Sequence, residues 1–186
     1  MDNKATILDW LKLDVTNACP LHYHFWGGTL IKPTGQPPLE ALEKGLLLKD
    51  KDGITPLHAA AATGRIDLIP RKLLTRESLA TANYDGETPV HFAATSGSLG
   101  QIPNEYLTKE VLTTKSEHNH TPLGNAIESG HLDQLIGLDL PDLSTTNIDG
   151  VNPALLQEWA ERIKEIANQQ EKLIEQESEA TAIEIF

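Results

Sequence analysis

The segment TPLHAAAATG at residues 55–64 decides the fold, because its pattern returns twice along the chain. TPVH at 88–91 follows the first TPLH after 33 residues, and TPLG at 121–124 follows after another 33. In all three copies a glycine stands nine residues after the threonine. Self-similarity at a fixed period of about 20–50 residues indicates a repeat architecture, in which each unit packs mainly against its neighbours.

Two weaker copies flank these three. CPLH at 19–22 keeps the nine-residue offset to a glycine, Gly28, and DGVNP at 149–153 repeats the turn and the proline. Terminal repeats meet water on one side and therefore depart from the common pattern. We expect a capping segment at 1–14, followed by an array over 15–160. Its repeats are expected near 15–49, 50–82, 83–115, 116–146 and 147–160.

Each unit contains the signals of short helices. Asp-Gly before the threonine is a turn signal, threonine is a good helix N-cap, and proline fits the first helical position. The alanine run at 59–62 makes a thin helix, and the trailing glycine ends it. A second apolar stretch stops at Pro70 and Pro103, because proline breaks a helix. Thr75 and Thr108 are expected to cap short further helices.

The T-P-L-H motif at 55–58, the 33-residue period and the trailing glycine together resemble the ankyrin repeat. The resemblance implies an all-α solenoid of antiparallel helix pairs, gently curved, with turns that project near a right angle. The chain departs from the family's usual pattern at Ile69–Pro70 and Ile102–Pro103, which interrupt the second helix. This interrupted form is similar to ankyrin arrays of bacteria.

The resemblance also implies a function, which is to bind another protein as a non-catalytic scaffold, adaptor or inhibitor. Proteins of this family bind with their turn tips and with exposed positions of the first helix. By register, the tip residues here are Lys51, Asp52, Ile54, Tyr84, Asp85, Glu87, Glu117, His118, His120, Ile148 and Asp149. The first-helix residues are Trp26, Ala62, Thr63, Thr95, Ser96, Glu128 and Ser129. Because the tips are acidic with a few apolar anchors, we expect a partner with a basic or mixed surface.

The composition narrows the partners and the compartment. The formal net charge of −12 disfavours nucleic acid and anionic membranes, since both attract basic patches. The single cysteine, Cys19, cannot form an intramolecular disulfide, so a reducing, cytoplasmic location is expected. No apolar run approaches the roughly 18 residues of a membrane span, and the N-terminal sequence lacks the pattern of a secretory signal.

We expect neither catalysis nor metal binding from the histidines and the cysteine. The resemblance implies that His22, His58 and His91, which share one repeat position, hydrogen-bond neighbouring turns. His118 and His120 flank a turn tip, but two ligands without a third are a weak zinc signal. The cysteine stands at a helix-cap position, and the chain has no phosphate-binding glycine loop. We therefore expect no catalytic residue, no cofactor and no metal.

The first repeat differs from the others in having bulky side chains in its first helix. His24 and Phe25 stand where other copies have alanine, and Tyr23 and Trp26 lie beside them. These side chains could plug the open end of the array together with the amphipathic segment 7–11. The alternative is an aromatic binding patch, since Trp and Tyr make good interface anchors.

The C-terminal segment departs in its length. No Gly or Pro interrupts residues 154–177, so a helix of about 24 residues, overlapping the last repeat, is expected there. Its apolar positions in a heptad rhythm are Leu156, Trp159, Ile163, Ile166 and Leu173. Such a stripe suits packing on the last repeat, and it also suits self-association in a structural protein. We expect a monomer rather than a homodimer, and the tail 178–186 has no assigned role.

Overall fold

A computed structural model describes residues 6–27 and 35–135, together with 154, 157–158, 160–162, 164–166, 168–169 and 172. Up to residue 135 the α-helices are α1 (Ile7–Leu11), α2 (Pro20–Trp26), α3 (Leu39–Gly45), α4 (Pro56–Ala62), α5 (Arg76–Ala80), α6 (Pro89–Ser96), α7 (Lys109–Leu112) and α8 (Pro122–Glu128). Short 3-10 helices cover Ile66–Leu68, Arg71–Leu73, Leu99–Gln101, Asn104–Tyr106 and Leu132–Leu135. The described residues include no strand, and those between 154 and 172 are helical. The all-α prediction is confirmed.

The first helices of successive repeats are α2, α4, α6 and α8, and they stack side by side in chain order. All four begin with a proline, and the residue before it caps the helix in an extended conformation. The cap is threonine in three helices and Cys19 in α2. Gly27 and Gly97 end α2 and α6 in the left-handed conformation, at φ 77° and 75°.

The stack is close because the interior of the central helices is alanine. Ala59, Ala60 and Ala61 of α4 and Ala93 and Ala94 of α6 are completely buried. Small side chains let neighbouring helix backbones approach, and each helix is therefore covered on both sides by its neighbours. The array has one continuous core that runs through the repeats.

Three histidines at one repeat position join neighbouring repeats. In His22, His58 and His91, Nδ1 accepts a hydrogen bond from the backbone N–H of the same helix's cap residue at 3.0–3.2 Å. Nε2 therefore carries the proton and donates to a backbone carbonyl of the next turn at 3.1–3.2 Å. Burial lowers the pKa of all three imidazoles, that of His58 to about 4. The hydrogen-bonding role that the resemblance implies is confirmed.

The second half of each central repeat is not one long helix. In the second repeat, two 3-10 helices stand on either side of Ile69–Pro70, whose backbone is extended. The third repeat has the same arrangement around Ile102–Pro103. The predicted short helices after these breaks are present as α5 and α7, with Thr75 and Thr108 as their caps. Proline at this position therefore replaces the second helix by shorter turns.

The N-terminal end of the array is closed by α1, which packs on α2 and α3. Trp10 is 1% exposed, and its ring meets the ring of His24 edge-on at 5.5 Å. His24 in turn meets Phe25 at 5.1 Å, and both are buried. Of the two interpretations of this aromatic cluster, the structure supports the cap. Trp26 lies mostly outside this cluster, with 52% of its surface exposed.

The residues beyond 135 are described in part. Ala160 is helical, is 8% exposed and belongs to the core of the array. The predicted fifth repeat at 147–160 lies mostly outside the described residues, and the tail 178–186 lies wholly outside them. Where the structure is described, no helix combines the length and the apolar character needed to cross a bilayer.

Candidate binding surface

Each turn tip is built by one polar side chain at its start. Asp50 accepts hydrogen bonds from the backbone N–H groups two and four residues later, at 3.0 and 2.8 Å. Asn83 makes the same pair at 3.0 and 2.8 Å, and Ser116 makes the second bond at 3.1 Å. Asp14 does this in the first repeat. These residues are not among those expected from the sequence, although the 33-residue spacing from Asp50 to Asn83 to Ser116 is a usable signal.

The turn closes through a residue in the left-handed conformation. Gly53 and Gly86 have φ values of 77° and 76°, and Asn119 occupies the same position at 62°. Glycine adopts this conformation without strain, and asparagine tolerates it better than most residues. A Cβ on Gly53 would lie 2.8 Å from the backbone nitrogen of Tyr84, so glycine also lets the next turn come close.

Backbone hydrogen bonds join the tips to one another. The N–H of Lys51 donates to a carbonyl of the preceding turn at 2.8 Å, that of Tyr84 at 3.2 Å and that of Glu117 at 2.9 Å. Each tip is thus held in register with the one before it. As a result, the side chains of successive tips lie in rows along one side of the array.

The predicted tip residues fall into three groups. Seven are exposed, namely Lys51, Asp52, Tyr84, Asp85, Glu117, His118 and His120, and the Glu87 side chain is 24% exposed. We call these eight residues the tip surface. The prediction that Ile54 is an exposed tip residue is wrong, because only 9% of its surface is exposed. Its carbonyl accepts the hydrogen bond from His22. Ile148 and Asp149 lie outside the described residues.

The charged side chains of the tip surface form only weak, exposed ion pairs. His118 Nε2 lies 3.9 Å from an Asp85 carboxylate oxygen, and His120 Nδ1 lies 3.9 Å from a Glu87 carboxylate oxygen. Exposed pairs at this distance contribute little to stability. Four carboxylates stand against one lysine ammonium on this surface, so it is acidic at neutral pH.

Lys49, which was not among the expected site residues, contacts the tip surface through Tyr84. Lys49 Nζ donates to the carbonyl of Ala82 at 2.7 Å and lies 5.6 Å from the ring centroid of Tyr84. The ammonium group therefore lies over an aromatic ring that is itself 62% exposed.

A second row of exposed side chains runs along the first helices. It contains Trp26, Ala62, Thr95 and Glu128, which occupy equivalent positions just before the helix ends. We call these four residues the helix column. Trp26, Thr95 and Glu128 are exposed and Ala62 is half-buried. This row lies next to the position occupied by Thr63, Ser96 and Ser129.

Thr63 is exposed and Ser96 is half-buried, and both also bond to the preceding repeat. The hydroxyl of Thr63 donates to the carbonyl of Phe25 at 2.8 Å, and that of Ser96 donates to the carbonyl of Ala61 at 2.6 Å. Both bonds cross from one repeat to the preceding one. These hydroxyls therefore hold neighbouring repeats together, and their predicted contact with a partner stays a prediction. Ser129 is exposed.

The single cysteine of the chain is buried. Cys19 has no exposed surface, its Sγ lies 3.3 Å from His22 Nδ1, and burial raises the pKa of its thiol. A buried thiol that is kept protonated is a poor nucleophile. Within the described part of the chain, no group of three or more His, Cys, Asp or Glu side chains is placed to hold a metal ion.

The heptad positions of the C-terminal segment are only partly described. Ile166 is helical and half-buried. Leu156, Trp159, Ile163 and Leu173 lie outside the described residues, so the predicted self-association stripe stays a prediction. The burial of Ala160 in the core is the contact that a helix packed on the array would make.

Two comparisons bear on this architecture. Residues 39–103 match the family model for ankyrin repeats in three copies. The match covers the stretch in which the capped first helices and the interrupted second halves alternate. No curated protein matches the sequence of this chain.

Proposed function

Because this chain is an ankyrin-repeat protein, we propose that it is a non-catalytic scaffold, adaptor or inhibitor that binds another protein through the tip surface and the helix column. Ankyrin repeats are in general modules for protein–protein interaction. The observation that carries the proposal is the backbone bonding between successive tips. It holds side chains from three repeats in one fixed, exposed arrangement.

A surface held in this way is prepared for binding. Partners lose less conformational entropy when the contact groups are already in place. Little in the fold requires the exposed tip side chains, since the turns are built by Asp50, Asn83 and Ser116 and closed by backbone bonds. Side-chain identity at the tips is thus free to serve a partner.

The charge of the tip surface indicates the chemistry of that partner. Asp52 and Asp85 are exposed on neighbouring tips, and Glu117 follows on the next one. Tyr84 stands among them as an exposed aromatic ring, the type of side chain that often anchors an interface. We propose a partner with a basic surface, recognised with a marked dependence on salt.

A cytoplasmic location fits the same proposal. The free thiol of Cys19 is buried at a helix cap, and a reducing compartment keeps such a group as a thiol. The three buried histidines are engaged in holding the repeats, and the burial that keeps them neutral also keeps them from solvent. We therefore assign these groups to the fold and not to catalysis.

Charge reversal tests the proposed surface. A partner is first captured from the native host with the wild-type chain and identified, and its affinity is then measured by calorimetry. The variant Asp52→Lys, Asp85→Lys, Glu117→Lys is expected to bind at least about tenfold more weakly, because like charges would face a basic partner. Raising the salt concentration should weaken the wild-type complex in the same direction.

The matched control changes three exposed acids away from the tips. Asp67→Lys, Glu77→Lys and Glu105→Lys add the same net charge on the other half of the repeats. This variant should bind as the wild type does. Equal affinity of the wild type and the tip variant would rule out the tip surface as the binding site. An equal loss of affinity in both triple variants would show that the effect depends only on net charge.

A further inference from the structure

Two histidines lie on the tip surface, where the proposed binding gives them no role of their own. The His118 side chain is 66% exposed and the His120 side chain is 56% exposed. Histidine is the side chain whose charge ordinarily changes between about pH 5 and 8. These two imidazoles are therefore the groups through which the charge of the tip surface can follow pH near neutrality.

Each of the two histidines occupies the position that an acid occupies one repeat earlier. Asp85 stands 33 residues before His118, and Glu87 stands 33 residues before His120. His118 Nε2 is 3.9 Å from an Asp85 carboxylate oxygen, and His120 Nδ1 is 3.9 Å from a Glu87 carboxylate oxygen. Two histidines thus face two acids across one junction between successive tips.

The backbone holds the two sides of this junction together. The N–H of Glu117 donates to the carbonyl of Asp85 at 2.9 Å. The N–H of His120 donates to Ser116 Oγ at 3.1 Å, and its carbonyl accepts from His91 Nε2 at 3.2 Å. The backbone positions that carry the histidine and carboxylate side chains are therefore set by the fold.

Other titratable and charged side chains surround the two imidazoles. Lys115 and Glu117 precede His118 on the same tip and carry opposite charges. Below the tip, burial lowers the pKa of His91, so this imidazole stays neutral while exposed ones gain protons. Asp149 of the following tip lies outside the described residues. A proton gained on either exposed imidazole therefore forms an ion pair with the preceding tip.

Protonation changes the balance of charge on the tip surface. With neutral imidazoles the surface carries four carboxylates and one ammonium group. With both imidazoles charged, it carries three cations against the same four carboxylates. Two of those carboxylates, on Asp85 and Glu87, are then paired within the chain. A basic partner therefore meets a weaker field and fewer free carboxylates.

The preceding junction of the tip surface has no histidine. Asp52 occupies the position of Asp85 one repeat earlier, so this row is acidic on both sides of that junction. Carboxylates ordinarily keep their charge above about pH 5. Exposed ion pairs also contribute little to stability, so the frame of the tips is the same in both charge states. Between the described tips, the dependence on pH is therefore confined to the junction that His118 and His120 form.

We propose that mild acidification releases a basic partner from the tip surface, because the two imidazoles become cationic and pair with the carboxylates of the preceding tip. This inference rests on the proposed function, since it takes the tip surface as the place where a basic partner binds. It adds a regulation of that site, in which the fold stays intact while the affinity changes.

An octalysine peptide is the probe that tests the proposal, because lysine side chains keep their charge below about pH 9. Two-dimensional NMR of the full 15N-labelled chain measures its binding at the tips, from the amide signals of Tyr84 and Glu117. From about pH 7.5 to about pH 6, the dissociation constant obtained at these amides should rise at least about fivefold. The variant His118→Gln, His120→Gln cannot gain the two charges, and its constant should change less than about twofold.

The matched control is His131→Gln, which removes a half-buried imidazole outside the tip surface. Its dissociation constant should show the same pH dependence as that of the wild type. Two results would overturn the proposal. One is a wild-type constant that does not change with pH, and the other is a variant His118→Gln, His120→Gln that keeps the full dependence.

The natural partner gives a second measurement. Because linkage is reciprocal, binding of a basic partner should release protons from the two imidazoles at about pH 6.5. Calorimetry in two buffers with different ionisation enthalpies counts these protons, and His118→Gln, His120→Gln should release fewer than the wild type. Equal numbers from the two proteins would contradict the role of the histidines.

Failure of this inference is distinguishable from failure of the proposed function. The octalysine titration uses no natural partner, and it fails when the affinity at the tips does not follow pH. The proposed function fails when charge reversal of the tips leaves the affinity for the natural partner unchanged. A partner that is lost on charge reversal but bound equally at both pH values would overturn the regulation alone.

Discussion

The first repeat and the central repeats share one set of hydrogen bonds but differ in the size of their buried side chains. His22 in α2 and His58 in α4 make the same bonds to the helix cap and to the next turn. Yet α2 buries His24 and Phe25 where α4 buries Ala60 and, beside it, another alanine. The backbone frame is therefore constant along the array, while the side-chain volume inside it changes. The central helices α4 and α6 have alanine at both positions, whereas α2, which packs on the short cap, has two bulky rings there.

The largest effect is expected at the cap. Trp10→Ala removes a side chain that is 1% exposed and that contacts His24, so it should lower the free energy of unfolding by about 3–5 kcal/mol. Trp26→Ala is the matched control, because its ring is 52% exposed, and its effect should be within about 1 kcal/mol. Urea unfolding followed by circular dichroism measures both. Similar losses in the two variants would contradict the assignment of Trp10 to the cap.

The second effect concerns the frame shared by both regions. The pKa of His58 is lowered to about 4 by burial, below the value of about 6.5 expected in an unfolded chain. Between these values the unfolded state binds a proton that the folded state does not, so stability is complete above about pH 6.5 and falls as the pH decreases to about 4. For His58 the loss is about 3 kcal/mol, and His22 and His91 shift in the same direction.

Unfolding by urea at a series of pH values from 7 to 4.5 measures this loss. The variant His58→Gln should be less stable than the wild type at pH 7, and the difference should shrink as the pH falls. A constant difference between the two proteins would show that the imidazole is not held neutral by the fold. The same measurement on His22→Gln gives the stability that the histidine contributes at the junction between the first two repeats. The two values can then be compared directly.

Much of the frame was predictable from the sequence because it is local and repeated. Thr55 and Pro56 start a helix by cap chemistry and by the fixed backbone of proline, and both signals are visible in the chain. Pro70 ends the second apolar stretch for the same kind of reason. Where a residue's role is set within its own turn, spacing alone indicates it.

The contacts between repeats were less predictable. Ile54 reads as an exposed tip residue, but only 9% of its surface is exposed. Thr63 and Ser96 read as free polar side chains, but each donates to a carbonyl of the preceding repeat. No pattern within one repeat encodes such a bond. The position of Lys49 under Tyr84 is of the same kind.

A third, smaller effect compares two junctions directly. Thr63→Ala removes a bond to the first repeat, and Ser96→Ala removes the equivalent bond to the second. Each should cost about 1 kcal/mol, and the two losses should agree, since the backbone frame is the same at both junctions. Thr95→Ala is the control, because its hydroxyl donates within its own helix and its side chain is exposed. A much larger loss at Thr63 would show that the terminal junction depends more on this bond.

The smallest effect is expected where the junctions differ. Gln101 clamps the second repeat, because Nε2 donates to the carbonyl of Gly64 at 2.9 Å and Oε1 accepts from the N–H of Asp67 at 3.2 Å. Gln134 repeats this clamp one repeat later, on Gly97 and Gly100. The equivalent residue of the second repeat is Leu68, which has no amide, so the junction with the first repeat lacks the clamp.

Gln101→Ala should therefore cost only about 0.5–1 kcal/mol of global stability, because the site is partly exposed. Its local signature is sharper: hydrogen exchange at the Asp67 amide should become about fivefold faster, since that N–H loses its acceptor. The Ile69 amide, which donates to the carbonyl of Ile66 at 2.9 Å, is the internal control and should not change. Unchanged exchange at Asp67 would mean that the clamp does not protect it, and faster exchange at both amides would mean that the whole segment is held by Gln101 and not by its own turns.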